Sequence, residues 1–302
     1  MGYGSYSKES RSVRAASMDY MHKSADEIFI QNKVRRIHES MEPKKALIRE
    51  ARDSDTHPLS FPIILPLDLT GSMGSIPLHL VREGLPKLMS GIIQHGIPDP
   101  QLLFLGIGDH TCDSYPLQVG QFECGDEELD MWLTRTYIEG GGGGNDGESY
   151  LLAWYFAAMH TVTDAWDKRK QKGLLVTIGD EPSVRSLPSR AIEEIMGTGS
   201  QASYTDKELL ELAKEKYEVF HLHIMEGSAG HRSLGYWKSL LGQNCIEVND
   251  YRKVPEIVVE LAVRIAKTNV AYEPTKPNVI VDSIDNALDS LTSGKKDEGM
   301  ML

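Results

Sequence analysis

The sequence predicts an α/β fold with a doubly wound, mostly parallel central sheet flanked by helices. Three observations predict it. The runs 61–67 (FPIILPL), 101–108 (QLLFLGIG) and 173–178 (GLLVTI) are short and apolar, the character of strands buried on both faces of a parallel sheet. Segments of helical period separate them, an alternation that builds such sheets. At 302 residues, 40% of them hydrophobic, the chain is long enough to bury a substantial core.

Taken in order, residues 1–25 are rich in Ser, Tyr, Gly and Arg without a sustained apolar period and read as an extended arm. Residues 25–52 read as one or two amphipathic helices broken at Pro43. After the first strand, 76–95 is helical with a kink at Pro86. A short edge strand is expected at 116–122 and a helix at 126–137, opened by acidic residues that suit its positive end. Residues 149–163 are apolar nearly all round, so a deeply packed helix is predicted there. Helices at 187–196, 206–216, 232–241 and 254–267 alternate with strands at 217–225 and 245–248. The organisation is therefore an arm and helical segment (1–57), a main domain (58–269) and a C-terminal tail (270–302). In the tail, Val281, Ile284, Leu288 and Leu291 recur at helical spacing.

Charge and cysteines narrow the function classes. The formal net charge is -12, which argues against a general nucleic-acid binder. Residues 1–52 carry eleven Lys/Arg and seven Asp/Glu, so a basic arm precedes an acidic body and suits docking or homo-oligomer assembly. Three cysteines do not make a disulfide framework, and no run has membrane-span length, so a cytoplasmic location without membrane insertion is expected. His221 and His223 alternate on a strand and read as core residues.

In an open parallel sheet, ligands bind at the carboxyl ends of the strands. After the first strand comes Asp68-Leu69-Thr70-Gly71-Ser72-Met73, a carboxylate and two hydroxyls at alternate positions. These hard oxygens suit Mg²⁺ or Mn²⁺ and not a thiolate-preferring metal. A run of five glycines, 140–144, leads into Asn145-Asp146-Gly147-Glu148 and supplies further oxygens. After the third apolar strand, Gly179-Asp180-Glu181-Pro182 adds a carboxylate. For DLTGSM alone the bland reading is a strand-to-helix turn with a capping side chain; the two later loops on the same sheet edge favour the metal site. Asp109, His110, Cys112 and Asp113 follow the second strand on that edge, without the paired spacing of a zinc site. Neither a G-x-S-x-G elbow nor a P-loop motif occurs, and an enzyme is not expected.

The DLTGSM segment resembles the metal-ion-dependent adhesion site (MIDAS) of von Willebrand factor A domains, whose pattern is Asp-x-Ser/Thr-x-Ser, and the later GGGGGNDGES and TIGDEP pieces are similar to intracellular microbial members. The resemblance implies Asp68, Thr70 and Ser72 as first-loop ligands, Asp146 with Asn145 as a competing register in the second loop, and Asp180 in the third. It further implies Mg²⁺, or Mn²⁺, that accepts an Asp or Glu side chain of a protein partner. Intracellular members also suggest an adaptor working beside an AAA+ ATPase, and the charge pattern suggests a self-assembling component.

Overall fold

A computed structural model describes residues 4–71, 73, 75–97, 99–139, 147–197 and 202–269. Six strands form the central sheet: β1 (Ser60–Asp68), β2 (Asp99–Ile107), β3 (Leu117–Val119), β4 (Gly173–Gly179), β5 (Tyr217–Ile224) and β6 (Cys245–Val248). They lie in the order β6-β5-β4-β1-β2-β3, parallel except for β3, which pairs antiparallel with β2. The expected α/β class and mostly parallel sheet are therefore observed.

Each central strand feeds both layers, because alternate side chains leave opposite faces. In β1, Ile63, Leu65 and Leu67 enter one core and Ile64 the other; in β4, Leu174, Val176 and Ile178 oppose Leu175. Every residue of β1, β2 and β4 is buried, which is why these strands read as continuous apolar runs. Pro62 and Pro66 sit inside β1 even though it is central. The ladder to β2 is continuous, whereas the ladder to β4 is interrupted around Pro66, which has no N–H to give.

The first face is covered by α1 (Lys8–Ser17), α2 (Leu85–Gln94), α3 (Asp126–Thr134) and, at the chain's far end, Val254–Thr268. The second face carries α4 (Leu151–Met159), α5 (Ser189–Met196), α6 (Asp206–Lys216) and α7 (Gly230–Leu241), so Val254–Thr268 is α8. Seven consecutive residues of α4, Leu151 to Ala157, are buried, as its all-round apolar sequence requires. Helix α6 opens with a capping box, in which Thr205 and Glu208 satisfy each other's backbone N–H. The expected kink at Pro86 takes the form of a π-helical turn, Leu80–Gly84, just before α2. Pro86 cannot donate to the carbonyl four residues back, and the widened turn absorbs the loss.

Three expectations are corrected. Residues 1–25 were expected to be extended, but Lys8–Ser17 is helical, capped by Ser7, and lies on its own body. Its anchors are polar. Arg11 is fully buried, pairs with Asp130 at 2.9 Å and donates to the Val81 carbonyl; Arg14 meets Asp126 at 2.7 Å. Hydrophobic periodicity cannot report such contacts. Residues 25–52 form only short turns, Ala25–Ile28, Gln31–Val34, Glu39–Met41 and Pro43–Lys45, before a strand at Arg49–Ala51. The expected helix 149–163 stops at Met159, and the β-branched Thr161–Thr163 pairs in parallel with Arg49–Ala51. The tail, 270–302, lies outside the described residues.

Candidate functional site

The strand order reverses between β1 and β4: the chain moves outward from β1 through β2 to β3, and from β4 through β5 to β6. The crevice at the carboxyl ends of these two neighbours is where open α/β sheets take ligands. Leu67 pairs with Ile178, which sets Asp68 level with Gly179 and brings Asp180 next in line. Asp68 and Asp180 thus share one strand-end crevice, as the sequence predicts. Thr70 is there too, whereas Ser72, Asn145 and Asp146 lie outside the described residues.

Asp68 is buried and held from two sides. Its Oδ1 accepts the Thr70 backbone N–H at 2.9 Å and the Thr70 hydroxyl at 2.6 Å, while its Oδ2 accepts the Tyr150 hydroxyl at 2.7 Å. Tyr150 is itself fully buried, edge-on to Trp237 and His221. It fits only because residue 179 is glycine: a Cβ there would stand 1.8 Å from the Tyr150 oxygen and 2.9 Å from Asp68 Oδ2. Burial pushes the Asp68 carboxyl up, its hydrogen bonds from Thr70 and Tyr150 oppose this, and the nearby Asp180 adds to the rise.

Asp180 is fixed by the segment after β5. Its Oδ2 accepts the Ala229 N–H at 3.0 Å, its carbonyl accepts the Ser233 hydroxyl, and a Cβ on Gly227 would lie 2.1 Å from Oδ2. Beneath it, His221 and His223 are both fully buried, in agreement with the core reading. His223 Nε2 lies 2.6 Å from the Gly230 carbonyl and so carries a proton; its Nδ1 then accepts from His221 Nε2 at 3.2 Å, which leaves His221 Nδ1 to accept from Thr177 at 2.9 Å. This chain fixes both tautomers. Burial lowers both imidazoles, so they remain neutral and His221 stacks flat on Trp237 at 3.5 Å.

The neighbouring strand end, after β2, carries Asp109. Its carboxylate accepts from the Thr111 N–H at 3.0 Å, the Thr111 hydroxyl at 2.5 Å and the Cys112 thiol at 3.0 Å. Here burial raises the carboxyl, but the Thr111 and Cys112 bonds outweigh it and the net shift is downward. Ser149, fully buried, accepts the His110 N–H at 2.9 Å and bonds His110 Nδ1 at 2.7 Å. The thiol of Cys124 donates to the Gly4 carbonyl at 2.7 Å, next to the N-terminal segment.

Glu148 completes the crevice. Sequence reasoning includes it in the oxygen-rich run without assigning it a role. Its backbone is pinned, with its N–H on the Pro182 carbonyl at 2.9 Å and its carbonyl accepting the Val184 N–H at 2.9 Å. Its side chain is only 6% exposed, and Oε2 is a buried oxygen without a hydrogen-bond partner. Burial first, then the charges of Asp68, Asp113, Asp109 and Glu181, push its carboxyl far up. Crowded, desolvated carboxylates with an orphaned oxygen fit a hard divalent cation, whose charge would offset their repulsion. Among the described residues, no three His, Cys, Asp or Glu side chains already stand in metal-binding geometry. No helix among them is long and apolar enough to cross a membrane.

Comparison with known proteins finds no matching family model and no matching curated protein. Solved structures do match. The pilus adhesin SpaC from Lactobacillus rhamnosus GG, in its open conformation, aligns with 15% identity and a TM-score of 0.46 over 73% of this chain and 31% of that one. Proximal thread matrix protein 1 from the mussel byssus aligns with 10% identity and a TM-score of 0.43, over 69% of this chain and 48% of that one. The conserved hypothetical protein BatB from Bacteroides thetaiotaomicron aligns with 11% identity and a TM-score of 0.43, over 68% of this chain and 99% of that one. The chain therefore spans about a third of the adhesin and about half of the thread protein.

Proposed function

We propose that the chain is a von Willebrand factor A-like, cation-dependent protein-binding module. A Mg²⁺ or Mn²⁺ ion held at Asp68, Thr70 and Asp180, with Ser72 and Asp146 from the adjoining segments, ligates an Asp or Glu side chain of a partner. One observation carries this reading. The DLTGSM motif ends a central strand at the reversal point of the sheet, and its buried Asp68 is oriented by Thr70 and Tyr150 beside Asp180. The ion supplies electrophilic charge when bound. The chain's own part is to orient the carboxylates: Thr70 and Tyr150 fix both oxygens of Asp68, and Ala229 fixes Asp180. Carboxylates engaged in this way would hold an ion together with the Thr70 hydroxyl, and the ion would supply the charge that accepts an acidic side chain of a partner. Recognition, not turnover, is the output we assign, in a cytoplasmic setting.

The test is a pull-down from the native host with Mg²⁺, run beside Asp68→Ala and an EDTA wash. A partner captured only by the wild type with metal supports the reading; partners retained in all three arms overturn it. An AAA+ ATPase in the eluate would assign the adaptor role. Assembly through a free basic arm ranks lower, because Arg11 and Arg14 are engaged on the chain's own body.

A further inference from the structure

The short turns between residues 31 and 45 bound a groove that the strand-end crevice does not use. Its volume is about 510 Å³, and Val34, Arg36, Ile37, Lys45 and Tyr115 are part of its lining. Val34 is 50% exposed there, so the groove has an apolar side chain with water on it. The charge around the groove is opposite in sign to that of the whole molecule. Residues 31–45 carry Lys33, Arg35, Arg36, Lys44 and Lys45 against Glu39 and Glu42, in a chain whose net charge is -12. Lys45 meets Glu39 at 3.4 Å, whereas Lys33, Arg35, Arg36 and Lys44 are exposed and make no ion pair among the described residues. A basic groove with an apolar floor suits an acidic amphipathic helix.

The chain carries such a segment itself. In 281–291 (VDSIDNALDSL), Val281, Ile284, Leu288 and Leu291 recur at three and four residues, and Asp282, Asp285 and Asp289 each stand one position after the first three. On a helix one position is a turn of about 100°, so the apolar stripe is bordered along one side by an acidic stripe. No Lys or Arg interrupts either. The tail also starts within reach. Asn269, the last described residue, donates to the Lys172 carbonyl at 3.3 Å, next to the first residue of β4. The groove flanks β3, on which Glu39–Met41 and Pro43–Lys45 pack, and β3 stands three places from β4, about 14 Å at the usual strand spacing. Residues 270–280 can span up to about 36 Å and so cross that width with length to spare.

We propose that residues 281–291 dock as an amphipathic helix in the groove of the same chain, with the apolar stripe on Val34 and Tyr115 and the three Asp towards Arg35 and Arg36. Docking covers the apolar floor and gives the unpaired cations a counter-charge. It does not depend on the metal-site reading.

The experiment measures amide hydrogen exchange on the full chain, with a synthetic 270–302 peptide as the undocked reference. Wild type is compared with Arg35→Glu/Arg36→Glu, with Leu288→Asp, with Asp285→Lys/Asp289→Lys, and with the two charge reversals combined. In wild type the amides of 281–291 should exchange about tenfold or more slowly than in the peptide. Each of the three variants should abolish that protection, and the combined reversal should restore it. Exchange in β1 and β4 should stay the same throughout, which separates loss of docking from loss of folding. Tail amides that exchange as fast in wild type as in the peptide overturn the proposal and leave the groove to an acidic helix of a partner. Protection that survives Arg35→Glu/Arg36→Glu overturns it as well, since the tail then docks elsewhere. Protection that rises with protein concentration places the tail in the groove of a second copy and overturns docking within one chain.

Discussion

Two neighbouring strand ends carry the same three-residue pattern, Asp68-Leu69-Thr70 after β1 and Asp109-His110-Thr111 after β2. Locally they are twins: in each, the Asp accepts both the backbone N–H and the hydroxyl of the Thr two residues on. Yet the Asp68 carboxyl is pushed up and the Asp109 carboxyl is held down. The difference comes from the remaining neighbours. Each Asp has a third donor, the Tyr150 hydroxyl on Asp68 and the Cys112 thiol on Asp109; but Asp68 lies at the sheet's reversal point, where the stronger desolvation and the like charge of Asp180 outweigh its hydrogen bonds, whereas at Asp109 the hydrogen bonds outweigh burial. A short motif therefore fixes the shape of a turn, while the surrounding fold decides whether its carboxylate is at rest or in need of a counter-charge.

The largest expected effect follows directly. On the proposed metal site, saturating Mn²⁺ should raise the Tm of the wild type, Asp68→Ala should abolish that rise and Asp109→Ala should preserve it; equal loss in both would erase the distinction. Next come the glycines. Gly179→Ala forces a methyl against the buried Tyr150 oxygen, which cannot retreat, and should destabilise by about 3 kcal/mol in urea denaturation. Gly108→Ala meets only the end of the Asp113 side chain, at 2.6 Å, and should cost well under half as much. Tyr150→Phe keeps the ring packing and removes the donor to Asp68, for about 1.5–3 kcal/mol by the same measurement. Ser149→Ala, on the Asp109 side, loses two neutral bonds to His110, each worth about 0.5–1.5 kcal/mol.

The smallest effect concerns pH. Because the folded-state value of Asp109 lies below the ordinary 3.8, its contribution to stability is present above that pH and fades as pH falls through the lower folded value. Asp109→Asn should therefore be less stable than wild type near neutrality, with the gap closing in denaturation series run below pH 3.8. A gap that persists unchanged into strong acid would show that the Asp109 charge contributes nothing.

Much of this was legible in the sequence. Buried parallel strands betray themselves as apolar runs, and Asp68 and Asp180 are placed by following such runs to their carboxyl ends. What stayed hidden depends on contacts distant in sequence. Tyr150 reads as one more apolar residue in an apolar helix, and its donor role appears only when β1 comes alongside it. Glu148 sits within a polar run where exposure is the ordinary expectation, and its burial is a property of the packed segment after β4. Helix α1 was missed because an Arg buried on an Asp more than a hundred residues away leaves no periodic trace.

The central sheet ends in its two shortest strands, three residues in β3 and four in β6. An edge offers its unpaired backbone groups to any passing chain, and the offer grows with its length. Here the nine-residue strands β1 and β2, whose apolar runs would be the most adhesive if laid bare, are both in the interior. Such a molecule can display a binding crevice at one end of its sheet and still give a foreign strand little purchase along its sides, so contact by recognition is kept apart from contact by aggregation.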